Sequence, residues 1–518
     1  MTSFEDLDDD VLYLILDYLY LERVTILQSL RLTSLRLKDF ADAVAHRNLL
    51  LIDDEVHEQI TYRLAERLTD ASDKICHYVR DLRVINFQGD EKSYCLNVAL
   101  IADCLSHINR LDSFSWSCDA PISPRILDVL QQCFPRAQLC ANVRLVDQTL
   151  FSTAQLHRLE ISVPCTDLSG ADSISLFRSL KQALLQLSGL RHLLLDTHRD
   201  VNTDRMEGAV IGCLQVPFEP GDRMPSLVSL KLRSRSYAFD EDHCKRLLAS
   251  MDNEKLQHLT LGSQNPTNFF KVFLGSLPHL TNLEISYASL KDDSSHLRLK
   301  ACSEFVAALA SLRELVLRCD DLDLRADFPK MLTDVHGPNL RHLSLQARQE
   351  HIEGPVYCGN IRKFLWKFSN LRSLDMDFPD IRSYHRCPDC EGYQWGESNH
   401  FSFVPPLPSL RNVQLSIRAP FSECSLFMYV NKHAHCAICH LWTTFVDQPD
   451  SGLETLSIRF WRWESGRETR LRELIYDTTR LRGRLTVKVR HHREVPAVVY
   501  KEVWEKRWDR RVLVAFEV

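Results

Sequence analysis

The chain has 518 residues, with 63 Lys or Arg against 69 Asp or Glu and a net charge of −6, which is not the basic footprint of a general nucleic-acid binder. It contains no run of about 18 apolar residues that would span a membrane, and its acidic opening, MTSFEDLDDD, is unlike the basic start of a secretory signal. The expected location is cytoplasmic or nuclear, where thiols stay reduced, so the 17 cysteines are read as buried apolar residues or metal ligands. Phosphate-cradling glycine motifs are absent, and no nucleophile and base stand together in a recognisable motif. The expectation is therefore a binding protein with no catalytic residues.

Residues 1–50 read as a helical module. Asp8, Asp9 and Asp10 precede an apolar run, where acidic residues favour a helix start. Val11, Leu12, Leu14, Ile15, Leu16 and Leu19 cover almost the whole circumference of the helix that follows. Such a helix is buried on several sides, and fifty residues supply too few neighbours. A further protein surface is expected to cover part of it. Two more helical patterns follow, around Val24 to Leu30 and Leu35 to Val44.

These residues resemble the F-box, a short three-helix module. Its opening, a leucine followed by a helix of the form DDVLLxILxYL, is matched by Leu7 and Asp9 to Leu19. Its second signature, LRLVSRRFRDLA, is matched by LRLTSLRLKDFA from Leu30 to Ala41. The usual proline after the first leucine is Asp8 here. The resemblance implies docking on a Skp-type adaptor through Leu7, Val11, Leu12, Ile15, Leu16, Leu19, Leu30 and Leu32, as contacting or supporting positions. Without the resemblance, the same helices read as a cap on the domain that follows.

Residues 51–74 are read as a helical linker, and from about residue 75 to residue 495 a repeat is written along the chain. The unit L-x-x-L-x-L starts at Leu156, Leu190, Leu227, Leu256, Leu280, Leu312, Leu340, Leu371, Leu410 and Leu453. Weaker copies are read at Val79 (VRDLRV), Leu111 (LDSFSW) and Leu485. The last two apolar positions of each unit lie two residues apart and share one face of a strand. Several intervals are helical in pattern: in SISLFRSLKQALLQL, residues Leu176, Phe177, Leu180, Ala183, Leu184 and Leu187 form one stripe. One strand and one helix cannot bury their own apolar faces, so neighbouring units must stack.

This pattern resembles the leucine-rich repeat family. The fold class is therefore α/β, a short three-helix module followed by an irregular solenoid with a parallel sheet on its concave side. The family's ladder asparagine is missing, with Pro164, His198, Gln264, Arg348 and Arg418 in its place. Residues alternating with the leucines should line the concave face: Arg158, Glu160, His192, Lys231, His258, Glu284, Glu314, His342, Asp375 and Asn412. They are the candidate substrate-binding residues. An arginine recurs after the first leucine in the units at 190, 312, 340, 371 and 410, and is read as a solvated strand-start position. Together the two resemblances imply the substrate-recognition subunit of a Skp–cullin–F-box ubiquitin ligase. The alternative is a leucine-rich repeat interaction scaffold without a ligase role.

Two CxxC pairs follow consecutive repeats: Cys387 and Cys390 in RCPDCEGY, and Cys436 and Cys439 in HAHCAICHL. Strands of consecutive units lie about 4.8 Å apart, so their connections can run side by side. The pairs read either as four thiolate ligands of one structural zinc, with His435 or His440 as a substitute ligand, or as inert buried thiols. Residues 496–518 are read as a C-terminal cap. Around it, from Thr479 to Arg511, 11 Lys or Arg face 4 Asp or Glu, with Trp504 and Trp508 among them.

Overall fold

The computed structural model describes residues 7–22, 24–54, 57–87, 91–144, 148–164, 170–198, 215–234, 237–262, 265–287, 295–319, 328–346, 361–378, 384–387, 392–395, 407–418, 452–463, 471–481, 484–490, 498–505 and 510–517. The chain forms two compact units, the first made of residues 1–236 and 249–252, the second of 237–248 and 253–518.

The first unit opens with three helices, α1 (Asp9–Glu22), α2 (Val24–Leu30) and α3 (Leu35–His46). Asp9 and Asp10 sit in the first turn of α1, where acidic side chains complement the helix dipole. The Asp8 carbonyl accepts from the amides of Val11 and Leu12. Ser34 caps α3, its hydroxyl oxygen accepting from the Leu37 amide at 3.2 Å. Leu16, Leu27, Ala41 and Val44 form a small core, with Tyr13, Leu30 and Phe40 packed against it. Arg36 of α3 donates to the Leu7 carbonyl (2.9 Å) and pairs with Asp9 (2.5 Å), tying α3 to the start of α1.

The rest of this unit alternates strands and helices: β1 (Asn48–Ile52), α4 (Glu58–Thr69), α5 (Ile75–Tyr78), β2 (Asp81–Ile85), α6 (Glu91–His107), β3 (Ser113–Ser117), α7 (Pro124–Cys133), β4 (Gln138–Val143), α8 (Gln148–Phe151), β5 (Leu156–Pro164), α9 (Gly170–Gln186), β6 (His192–His198) and β7 (Ser229–Ser234). These seven strands pair in parallel in sequence order, β1 with β2 through β6 with β7. The stack thus starts at Asn48, ahead of the expected boundary at residue 75, and the stretch read as a linker carries the first strand's end and its helix α4. Strands β2 and β3 fall on the weaker copies at Val79 and Leu111. Strand β4 escapes the leucine pattern because Leu139, Ala141 and Val143 fill its buried positions. In α9, Phe177, Leu180, Ala183 and Leu184 are buried as the stripe requires.

The second unit repeats the scheme. It comprises α10 (Glu241–Ser250, its last two residues in the first unit), β8 (His258–Gly262), α11 (Thr267–Val272), β9 (Asn282–Tyr287), α12 (Ser295–Ala307), β10 (Glu314–Cys319), α13 (Phe328–His336), β11 (His342–Gln346), α14 (Ile361–Trp366) and β12 (Ser373–Phe378). The hairpin β13 (Tyr384–Cys387) and β14 (Gly392–Trp395) precedes β15 (Asn412–Arg418) and β16 (Thr455–Trp463). Strands β8, β9, β10, β11, β12, β15 and β16 pair in parallel in that order. Two leucine-type positions per strand are fully buried, as at Leu315 and Leu317 or Leu343 and Leu345, each burial contributing roughly 1.5–3 kcal/mol. Between strands, Phe269, Phe270, Phe273 and Phe305 stack into the helix layer.

Beyond β16 the direction changes. Strands β17 (Leu471–Leu481), β18 (Arg484–Arg490), β19 (Val498–Glu505) and β20 (Arg510–Glu517) form an antiparallel meander on β16. This corrects the repeat read at Leu485, the solenoid limit at 495 and the short cap at 496–518. Connections of two to seven residues between these strands are too short for a parallel crossover.

Candidate protein-interaction surfaces

On the three-helix module the expected adaptor positions divide into two groups. Leu12 and Leu16 are fully buried inside the chain, and Leu30 packs against the module's core. They support the helices, so a contacting role for Leu12 and Leu16 is corrected. Leu7 and Ile15 are half-buried, and the side chain of Leu19 falls outside the described residues. Val11 is 41% exposed and Leu32 89% exposed. Three residues outside the expected set join them: Leu14 at 70%, Tyr18 at 64% and Leu35 at 82%. Val11, Leu14 and Tyr18 follow i, i+3, i+7 spacing on one face of α1. The signal was available in the sequence, since a helix apolar around its circumference cannot bury every side against two short neighbours.

In each unit, the sheet positions alternating with the buried leucines form rows. In the first unit Arg158 lies beside His192, and Glu160 and Lys231 flank Leu194. Arg158 folds back onto Glu160, its Nε donating at 2.8 Å, so this charge is already matched. In the second unit His258, Asn282, Glu314, His342, Ser373 and Asn412 form one row. Glu284 and Asp375 lie in the next row along the strands, so Glu284 and Glu314 are not side by side.

A bonded network joins that row to the one beyond it. Thr260 Oγ1 donates to Glu284 at 3.3 Å, and Arg318 pairs with the same carboxylate. Arg318 Nε donates to Gln346 at 3.1 Å, and Gln346 Nε2 in turn donates to Asp375 Oδ2. Ser344 Oγ also donates to Asp375, at 3.3 Å. Asp375 Oδ1 is buried with no hydrogen-bond partner among the described residues. Burial raises the Asp375 pKa, while the Ser344 hydrogen bond and the charges of Arg459, His342 and Arg318 oppose the shift. Arg318, Gln346 and Arg459 escaped the sequence reading because they lie one alternation beyond the L-x-L core of each unit.

Cys390, Cys436 and Cys439 fall outside the described residues, as does the side chain of Cys387, whose backbone ends β13 opposite Gly392. Among the described residues no group of three His, Cys, Asp or Glu side chains is arranged to hold a metal ion. Cys104, Cys118 and Cys244 are core residues, and burial pushes their thiols up to about 12. Among the described residues no helix is long and apolar enough to cross a membrane.

The sequence matches no family model and no curated protein. Among solved structures, the chain is similar to the leucine-rich repeat-containing protein LegL7 from Legionella pneumophila, with 13% sequence identity and a TM-score of 0.31. The match covers 78% of this chain and 99% of that one. The repeat architecture is carried by the registers described above: parallel strands, one per repeat in each unit, with paired leucines on one face.

Proposed function

We propose that this chain is a protein-recognition subunit, its repeats holding a partner protein and its N-terminal helices docking, as an F-box, on a Skp-type adaptor of a cullin-based ubiquitin ligase. The observation that carries the reading is the set of apolar side chains the module leaves uncovered: Leu14, Tyr18, Leu32 and Leu35 are each more than 60% exposed. Exposed apolar residues clustered on so small a module mark an interaction site. The chain would make or break no bond; it would raise the effective concentration of a bound partner near the ligase machinery. The proposal includes one structural zinc at Cys387, Cys390, Cys436 and Cys439, on the spacing of the two CxxC pairs. Co-expression with a Skp-type adaptor tests the docking reading. Co-purification with the wild type and its loss in Leu14→Asp/Leu32→Asp is the expected result; no adaptor retained by the wild type would leave an interaction scaffold without a ligase role.

A further inference from the structure

Where strands β10, β11, β12 and β15 begin, the residue just before each strand is an arginine: Arg313, Arg341, Arg372 and Arg411. Their backbones are locked in step, the amide of each donating to the carbonyl of the one before at 2.7–2.8 Å. Adjacent rungs of a parallel sheet lie about 4.8 Å apart, so the ladder spans roughly 14 Å. All four line one open groove of about 840 Å³. A second groove of about 550 Å³ continues it, sharing Ser311 and Arg313.

In the first unit the arginine at this strand-start position has a structural task. Arg80 donates to the carbonyls of His77 (3.0 Å) and Val79 (2.8 Å), and Arg191 to those of Ser188 (3.1 Å) and Leu190 (3.0 Å). Of the four in the second unit, Arg411 alone is engaged among the described residues: it lies across Gly452 and sits 3.7 Å from Glu454. The guanidinium groups of Arg313, Arg341 and Arg372 have neither carboxylate nor carbonyl partner among the described residues. Three of the other side-chain donors along the groove are already engaged. Ser311 donates to the Pro278 carbonyl (3.3 Å), Asn370 to that of Pro338 (2.6 Å) and Ser409 to that of Ser369 (2.8 Å). What the groove offers a ligand is a row of unpaired forked donors. Like charges at this spacing repel, and an anion lying between them relieves the repulsion.

We propose that this groove binds a short acidic segment of a partner protein, its carboxylates or phosphates lying across the arginine rungs. An extended peptide places alternate side chains about 6.8 Å apart, so two or three acidic side chains span the ladder. Guanidinium groups take both carboxylate and phosphate in bidentate geometry. Glu454 closes the groove with a carboxylate at the Arg411 end, which disfavours a polyanion that runs on past it, such as a nucleic acid. The inference deepens the recognition reading above and rests on it, but it does not depend on the adaptor.

The test is fluorescence anisotropy with the full chain and labelled short peptides carrying alternating phosphoserine, alternating glutamate or alternating serine. The wild type should bind the phosphoserine or glutamate peptide and not the serine peptide, and the stronger of the two acidic peptides names the source of the charge. Arg341→Glu/Arg372→Glu should weaken that binding at least about tenfold. Arg341→Lys/Arg372→Lys, which keeps the charge but loses the fork, should fall between. Both positions are exposed and bonded to no described side chain, so the fold should persist, as circular dichroism would verify. Retention of the acidic peptide by the charge-reversed variant, no binding by the wild type, or tighter binding of a single-stranded RNA of equal charge would overturn the proposal. A wild type that binds the peptide but not the adaptor would remove the ligase reading and leave this one standing.

Discussion

Burial holds His243 and Asp375 toward their neutral forms, and the two therefore respond to pH in opposite ways. His243 is almost wholly inside the second unit, its Nε2 3.0 Å from the Tyr237 hydroxyl. Burial lowers its pKa to about 4, with the Asp240 charge opposing and that of Arg246 adding. The unfolded chain takes up this proton near 6.5, the folded chain only near 4. Its contribution to stability is thus complete above pH 6.5 and lost as pH falls toward 4, by about 3 kcal/mol. Urea denaturation at pH 7 and pH 4 should show this loss, and His243→Gln should flatten it; an equally steep fall in the variant would refute the assignment. For Asp375 the folded pKa is raised, so ionisation costs stability as pH rises through and above the unfolded value of 3.8. Asp375→Asn keeps an acceptor for Ser344 and Gln346 and should therefore stabilise the protein at pH 7, with the gain shrinking toward pH 4. Equal destabilisation at both pH values would contradict the burial account.

Among the elements, the three-helix module separates folding from docking. Leu12→Asp places a charge in a dry core and should cost about 3 kcal/mol or more, melting the module. Leu14→Asp alters an exposed side chain and should change stability by no more than about 0.5 kcal/mol. Helical signal and proteolysis of residues 1–50 would distinguish the two, and similar unfolding in both would mean that Leu14 is covered within the chain. A second element-scale prediction concerns the hairpin β13–β14. Elemental analysis should find about one zinc per chain, lost in both Cys387→Ser and Cys436→Ser. Zinc retained in either variant would break the four-thiolate model; metal-free wild type would make these cysteines inert thiols. Helices α1, α2 and α3 were legible because caps and apolar spacing are local. Strands on the L-x-x-L-x-L units were legible because the pattern recurs. What escaped was set by tertiary context: β4 uses alanine and valine where other strands use leucine, and β17 to β20 alternate as any strand would. Nothing local in TVKVR or VVYKEVW tells an antiparallel partner from a parallel one, so only the short connections betray the change of direction.

At the scale of the whole molecule, the same repeat chemistry builds two units with different outer surfaces. In each, seven parallel strands bury paired apolar side chains, mostly leucines, on one face and carry polar residues at most of the alternate positions. The absence of the asparagine ladder is matched by strands that run through its positions: β5, β6 and β15 extend to Pro164, His198 and Arg418. The first unit neutralises Arg158 against Glu160 and spends Arg80 and Arg191 on turn carbonyls. The second concentrates its chemistry, with the Glu284–Arg318–Gln346–Asp375 network on the sheet and Arg313, Arg341 and Arg372 at the strand starts without partners among the described residues. A chain of net charge −6 that gathers such arginines in one groove is suited to selective docking of an anionic partner rather than to general polyanion binding. Little of this was visible in the sequence, where the recurring LR read only as a solvated strand start. Strand order had to place those arginines in one line before their lack of partners could count.

The proposed docking of an adaptor rests on the exposed apolar side chains of α1, the turn after α2 and the start of α3. The most direct measurement is light scattering on the full chain eluting from size exclusion with an equimolar Skp-type adaptor. The expected result is a single peak whose mass equals one copy of each, with Leu14→Asp/Leu32→Asp eluting as two separate species while keeping its helical content. Separate elution of the wild-type chain and the adaptor would contradict the claim.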